Sequence, residues 1–177
     1  MQLQKTMASK AHQYFCISCM AIAVCSQATA YAAPQNGFGV YGGVIGANEN
    51  SATSKGLSLG TDAQFVIIDD WSLNPYLMAS AERSSTSTTV FDELVGLQVR
   101  RWFGEWFIGG QAFVHDRLIH GNGNTQASAY GASPGLVAGV EYASGWGAEV
   151  QADSFESTNT TGVRRNAVRL QLTYRWH

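Results

Sequence analysis

Lysine is almost missing from this chain. It has 177 residues, and only three are lysines: Lys5, Lys10 and Lys55. Two of those sit in an N-terminal stretch that reads as a removable leader, so one lysine remains downstream. A water-facing surface usually carries many charges of both signs, lysine among them. Cysteine is scarce in the same way: Cys16, Cys19 and Cys25 all lie in the leader. A mature chain without cysteine excludes disulfides, metal thiolates and cysteine nucleophiles. Long apolar runs are absent too. Downstream of the leader none approaches the eighteen residues a transmembrane helix needs. No segment shows convincing helical periodicity.

The leader has the three regions of a secretory signal. Lys5, Lys10 and His12 form a weakly basic start, and Phe15 to Val24 is a short apolar core. Ala28-Thr29-Ala30 and Ala30-Tyr31-Ala32 are both A-x-A sites; cleavage is expected after Ala32. The expected division is therefore a signal peptide, 1–32, and one domain, 33–177. Met7 is an alternative start. Lipidation at Cys25 is disfavoured by the bulky Val24. Removing the leader leaves nine basic residues against thirteen acidic ones, a net charge of about −4, and nothing in that balance suggests a nucleic-acid partner.

What is present is alternation. From Ala167 to His177 the chain reads AVRLQLTYRWH. Val168, Leu170, Leu172, Tyr174 and Trp176 alternate with Arg169, Gln171, Thr173 and Arg175. In a strand successive side chains point to opposite faces, so this segment has one greasy and one strongly polar face. The pattern predicts eight strands near 38–48, 56–68, 72–83, 89–102, 105–119, 129–143, 146–156 and 165–176. Tight turns are expected at Asp69-Asp70-Trp71, Phe103-Gly104 and Ser144-Gly145. Longer polar loops are expected at Asn48 to Lys55, Ser84 to Thr88, His120 to Ser128 and Ser157 to Arg164. With no helix to span a bilayer, a closed antiparallel barrel remains. Short turns on one rim and longer loops on the other fit such a barrel, with both termini on the short-turn rim.

Faces follow from parity. The apolar faces are assigned to lipid: Leu57, Leu59, Ala63, Phe65 and Ile67; Phe91, Val95, Leu97 and Val99; Ile108, Gly110, Ala112 and Val114; Leu136, Ala138, Val140 and Tyr142; Trp146, Ala148, Val150 and Ala152. Trp71, Trp102, Phe103, Trp106, Tyr142, Trp146 and Trp176 collect at the short-turn rim, where an interfacial aromatic girdle belongs. The opposite faces carry a lumen network of Glu82, Arg100, Gln111, His115, Arg117, Glu141, Glu149, Asp153, Arg169 and Arg175, with Asp62, Gln64, Asp92, Gln98, Gln151 and Gln171 beside them. Eight strands enclose only enough room for side chains to fill. Interlocked Arg–carboxylate pairs are expected there, because an orphaned buried charge costs several kcal/mol.

The strand rhythm, the Gly-rich first strand GFGVYGGVIGA (Gly37 to Ala47) and the ending VRLQLTYRW (Val168 to Trp176) carry a resemblance. The chain is similar to the small eight-stranded outer-membrane barrels, the group that includes the OmpA transmembrane domain and OmpX. The resemblance covers about residues 37–177. It implies an all-β, up-and-down transmembrane barrel of the bacterial outer membrane, with loops extracellular and both termini periplasmic. The implied roles are non-enzymatic: envelope integrity, surface interaction or adhesion, or weak porin-like passage. The implied partners are outer-membrane lipids, lipopolysaccharide and, during biogenesis, the assembly machinery, which reads a terminal signal of the kind formed here by Val168, Leu170, Leu172, Tyr174 and Trp176. His177 after the aromatic departs from that pattern. A monomer without cofactor or metal is expected.

Two other readings remain open. One is a lipid A deacylase of the PagL type, which needs a serine, a histidine and a carboxylate within hydrogen-bond reach. No His-x-Ser pair occurs, and Asp153-Ser154 has no histidine beside it in sequence, while His115 fits better as a lumen group bonded to a carboxylate. The other is a soluble lipocalin-like barrel, with Arg169, Gln171 and Arg175 facing water and Leu170, Leu172 and Tyr174 lining a cavity. In the Gly-rich first strand, glycine is expected to let strands or rings approach closely. Arg164-Arg165 reads as two solvated loop charges at the long-loop rim.

Overall fold

Residues 34–49, 52–85, 88–120, 126–159 and 164–177 are described by the computed structural model. The expected signal peptide and its cleavage site lie outside them. So does the stretch Gly121 to Asn124 of the loop expected from His120 to Ser128. Runs of alternating β-branched, aromatic and polar residues form eight strands: β1 Gly37–Glu49, β2 Ala52–Ile68, β3 Trp71–Ser84, β4 Thr89–Phe103, β5 Trp106–His120, β6 Gln126–Glu141, β7 Trp146–Ser157 and β8 Arg164–Trp176. Each pairs antiparallel with its sequence neighbour, and β1 pairs with β8, so the sheet closes into a barrel with no free edge. Closure satisfies every ladder from both sides.

The tight turns fall where the sequence places them. Gly104 and Gly145 adopt φ of 69° and 83°, a left-handed backbone that glycine takes without a Cβ clash. At the other rim the strands run further than expected. Glu49 pairs with Ala52, so much of the stretch Asn48 to Lys55, read as a loop, is strand. Lys55 is an outward residue of β2. Gln126 to Ser128 likewise belongs to β6. Cross-strand pairing there outweighs the local loop propensity of Ser, Thr and Asn.

The two faces sort without ambiguity. Leu170 and Leu172 are 56% and 66% exposed on the outer wall, while Arg169 is wholly buried inside. This orientation overturns the lipocalin-like alternative, in which the arginine row would face out.

Candidate functional site: a sealed polar lumen inside an apolar wall

The interior is built in layers, each from residues of one strand parity. Near the short-turn rim, Arg175 of β8 makes a fork to Asp62 of β2 at 3.0 and 2.9 Å, and its Nε donates to Glu141 of β6 at 3.0 Å. Asn74 donates to Asp62 and to Gln64 at 3.1 and 3.0 Å. Arg100 of β4 donates to Glu149 of β7 at 2.9 Å, and its guanidinium lies 4.4 Å from the Phe107 ring centre. Gln151 donates to the other oxygen of Glu149 at 2.6 Å.

Above this layer the lumen turns largely apolar. Tyr41, Tyr76, Met78, Leu94 and Phe113 pack into one buried cluster. Tyr76 and Phe113 meet edge to face at 5.5 Å. Arg169 pairs with Asp153 at this cluster's flank and faces Phe113 at 5.9 Å. A second ionic layer follows toward the other rim. Arg165 bonds Glu82 and Asp92. His115 Nδ1 is 2.9 Å from Asp92. Arg117 donates to Glu49 at 2.7 Å. Phe155 is packed beneath both His115 and Arg117.

The ten lumen residues named from parity all lie inside. Arg165 and Glu49 were missed. Arg165 is not a solvated loop charge: it is 1% exposed and has two carboxylate partners. Parity with Arg169 and Ala167 was the available signal; the adjacent Arg164 and the polar loop before it obscured that signal. Trp102 is the converse correction. It is 4% exposed and donates from Nε1 to Ser72 Oγ at 3.0 Å inside the barrel. It shares parity with Arg100, so it cannot join the girdle. Trp71, Phe103, Trp106, Trp146 and Trp176 do face outward at the short-turn rim, joined by Phe38, and Tyr142 is half-buried there.

Asp153 points inward and Ser154 outward, so the carboxylate and the hydroxyl lie on opposite sides of the wall. Among the described residues no cluster of three metal-ligating side chains occurs.

The outer wall has a defined height. On β4, Phe103 is followed ten residues up by Glu93, the first outward acid; on β5, Trp106 is followed ten residues up by Asp116. On β8 the same interval separates Trp176 from Asn166, and on β1 Phe38 from Asn48. Ten residues at about 3.3 Å and a tilt of about 40° rise roughly 25 Å, the height of a membrane-barrel apolar band.

No family model matches the chain, and no curated protein matches its sequence. Solved structures do. The chain is similar to Neisserial surface protein A (NspA), with 13% identity, a TM-score of 0.54, and coverage of 78% of this chain and 97% of that one. It is similar to Ail, the attachment invasion locus protein of Yersinia pestis, with 12% identity, a TM-score of 0.55, and coverage of 81% and 100%. The same Yersinia protein in complex with the heparin analogue sucrose octasulfate matches at 12% identity and a TM-score of 0.51. The fold is that of the small eight-stranded outer-membrane barrels.

Proposed function

We propose that this chain is a non-enzymatic integral barrel of the bacterial outer membrane that acts through its rims rather than through its interior. One observation carries the reading: the wall is apolar outside over about 25 Å except for Arg101 near the short-turn rim, and the charged side chains that point inward are buried and paired. Water on both faces would make that arrangement unfavourable, since roughly 25 cal/mol is lost for each Å² of apolar wall left wet. Hydrocarbon outside removes the penalty. The lumen, blocked by the Tyr41–Tyr76–Phe113 cluster and by Arg165 and Arg169, supports envelope integrity or surface interaction over solute passage. Short turns and both chain ends then face the periplasm, and the longer connections face the exterior beside lipopolysaccharide. The outward row Val168, Leu170, Leu172, Tyr174 and Trp176 serves as the assembly signal.

Cell fractionation with protease shaving tests this. The protein is expected in outer membranes, with intact cells cut near Gly121 to Asn124 and with faster gel migration before boiling than after. Recovery in the soluble fraction with one mobility would overturn it.

A further inference from the structure

One outward cation stands apart. Lys55, Arg83 and Arg164 lie toward the long-loop end of their strands, whereas Arg101 lies two residues from the short-turn end of β4. Its guanidinium sits between two girdle rings, 5.2 Å from Phe103 and 5.7 Å from Trp71. Nε donates to Asp70 at 3.2 Å, and no described residue takes the Nη1–Nη2 edge. Both members of that ion pair are about half exposed, so the pair contributes little and yields readily to a better anion.

Ladder register extends from this residue into the hydrocarbon zone. Arg101 pairs with Ile108, Ile108 with Ala138, Ala138 with Val150, and Val150 with Leu170. All five face outward. Because strands tilt, the row climbs: Arg101 is two residues from its strand end, Leu170 six. Four residues of rise make about 10 Å along the barrel axis, within one leaflet of about 15 Å. The row spans four strand spacings, about 19 Å. Beyond Ile108, from Ala138 to Leu170, the wall is indented by a groove of about 310 Å³. Trp106, Val140, Val150 and Leu170 line it together with the small residues Ala138 and Ala148.

We propose that this wall holds one glycerophospholipid, its phosphate on the open guanidinium edge of Arg101 and one acyl chain laid along Ile108, Ala138 and Val150 to Leu170. The aromatic pair holds the guanidinium at headgroup depth, and a planar fork of donors suits a phosphate. The small residues admit a chain where larger ones would fill the groove. The inference rests on the membrane reading above, and it is measured on purified protein, so either can fail without the other.

The test is native mass spectrometry of the folded barrel released from detergent containing long-chain phosphatidylglycerol. The wild type is expected to retain one lipid. Arg101→Gln is expected to lower retention about tenfold, the scale of one charge-assisted hydrogen bond, and Ala148→Phe, which fills the groove, is expected separately to lower it as well. Asp70→Asn, which removes the competing carboxylate, is expected to raise it. Lys55→Gln and Arg164→Gln should leave it unchanged. Gel mobility before boiling verifies that each variant is folded; if Arg101→Gln does not fold, Asp70→Asn and Ala148→Phe decide. Equal retention in all variants would mean adventitious annular lipid and overturn the proposal. So would retention of chainless glycerol 3-phosphate at the lipid's level, or a barrel dimer that Ala148→Phe dissociates.

Discussion

Arg175 and Asp62 meet fork to fork across an intervening strand, at 3.0 and 2.9 Å, and Gly39 of β1 is the residue they meet over. Gly39 is the ladder partner of both. A Cβ there would stand 2.3 Å from Asp62 Oδ1 and 3.1 Å from Arg175 Nη1. Gly43 fills the same role further along β1, where Gln171 donates to Ser58 at 3.2 Å across the strand.

Gly39→Ala is therefore expected to cost about 1–3 kcal/mol, the scale of forcing extra volume into a packed interior. Gly46, on the outer face of the same strand, has nothing within 4 Å of a built Cβ, and its alanine variant should stay within about 0.5 kcal/mol. Denaturant titration of the barrel refolded in vesicles measures both; equal effects would contradict the crossing pair.

Arg164 and Arg165 are sequence neighbours with opposite environments. Arg165→Met leaves Glu82 short of its arginine and is expected to cost about 3–5 kcal/mol. Arg164, whose pair with Glu156 is 75% and 68% exposed, should change stability by less than about 1 kcal/mol when replaced by glutamine. The same titration tests the contrast, which vanishes if Arg165 faces solvent.

Leu170→Arg places a charge on the lipid face six residues above the short-turn end of β8. The expected loss is about 2–4 kcal/mol near the bilayer midplane. A neutral result in a bilayer folding assay would mean that this wall does not meet hydrocarbon.

Trp102 and Trp106 offer an optical test. In single-tryptophan variants, brominated acyl chains are expected to quench Trp106, which is 64% exposed on the wall, and to spare Trp102, which is 4% exposed in the lumen. Quenching of Trp102 would place it in the girdle after all.

Period-two alternation, read along one strand at a time, was enough to determine the strand count, the turns at Gly104 and Gly145, the outward leucines of β8 and the inward arginines. Each of those is a local property: a strand offers two faces, and hydrophobicity says which belongs where. Trp102 shows the reading failing when residue type is allowed to override parity; Arg165 shows it failing where the first residue of an expected strand is read with the loop before it. Partners are another matter. That Arg175 reaches Asp62 over Gly39, that Arg165 and His115 share Asp92, and that Arg101 begins a row ending at Leu170 depend on closure and register. These join residues as much as 113 positions apart in the chain. Only the shut cylinder decides them, because strand tilt and stagger set which side chains stand at the same depth, and neither quantity is written in any single strand.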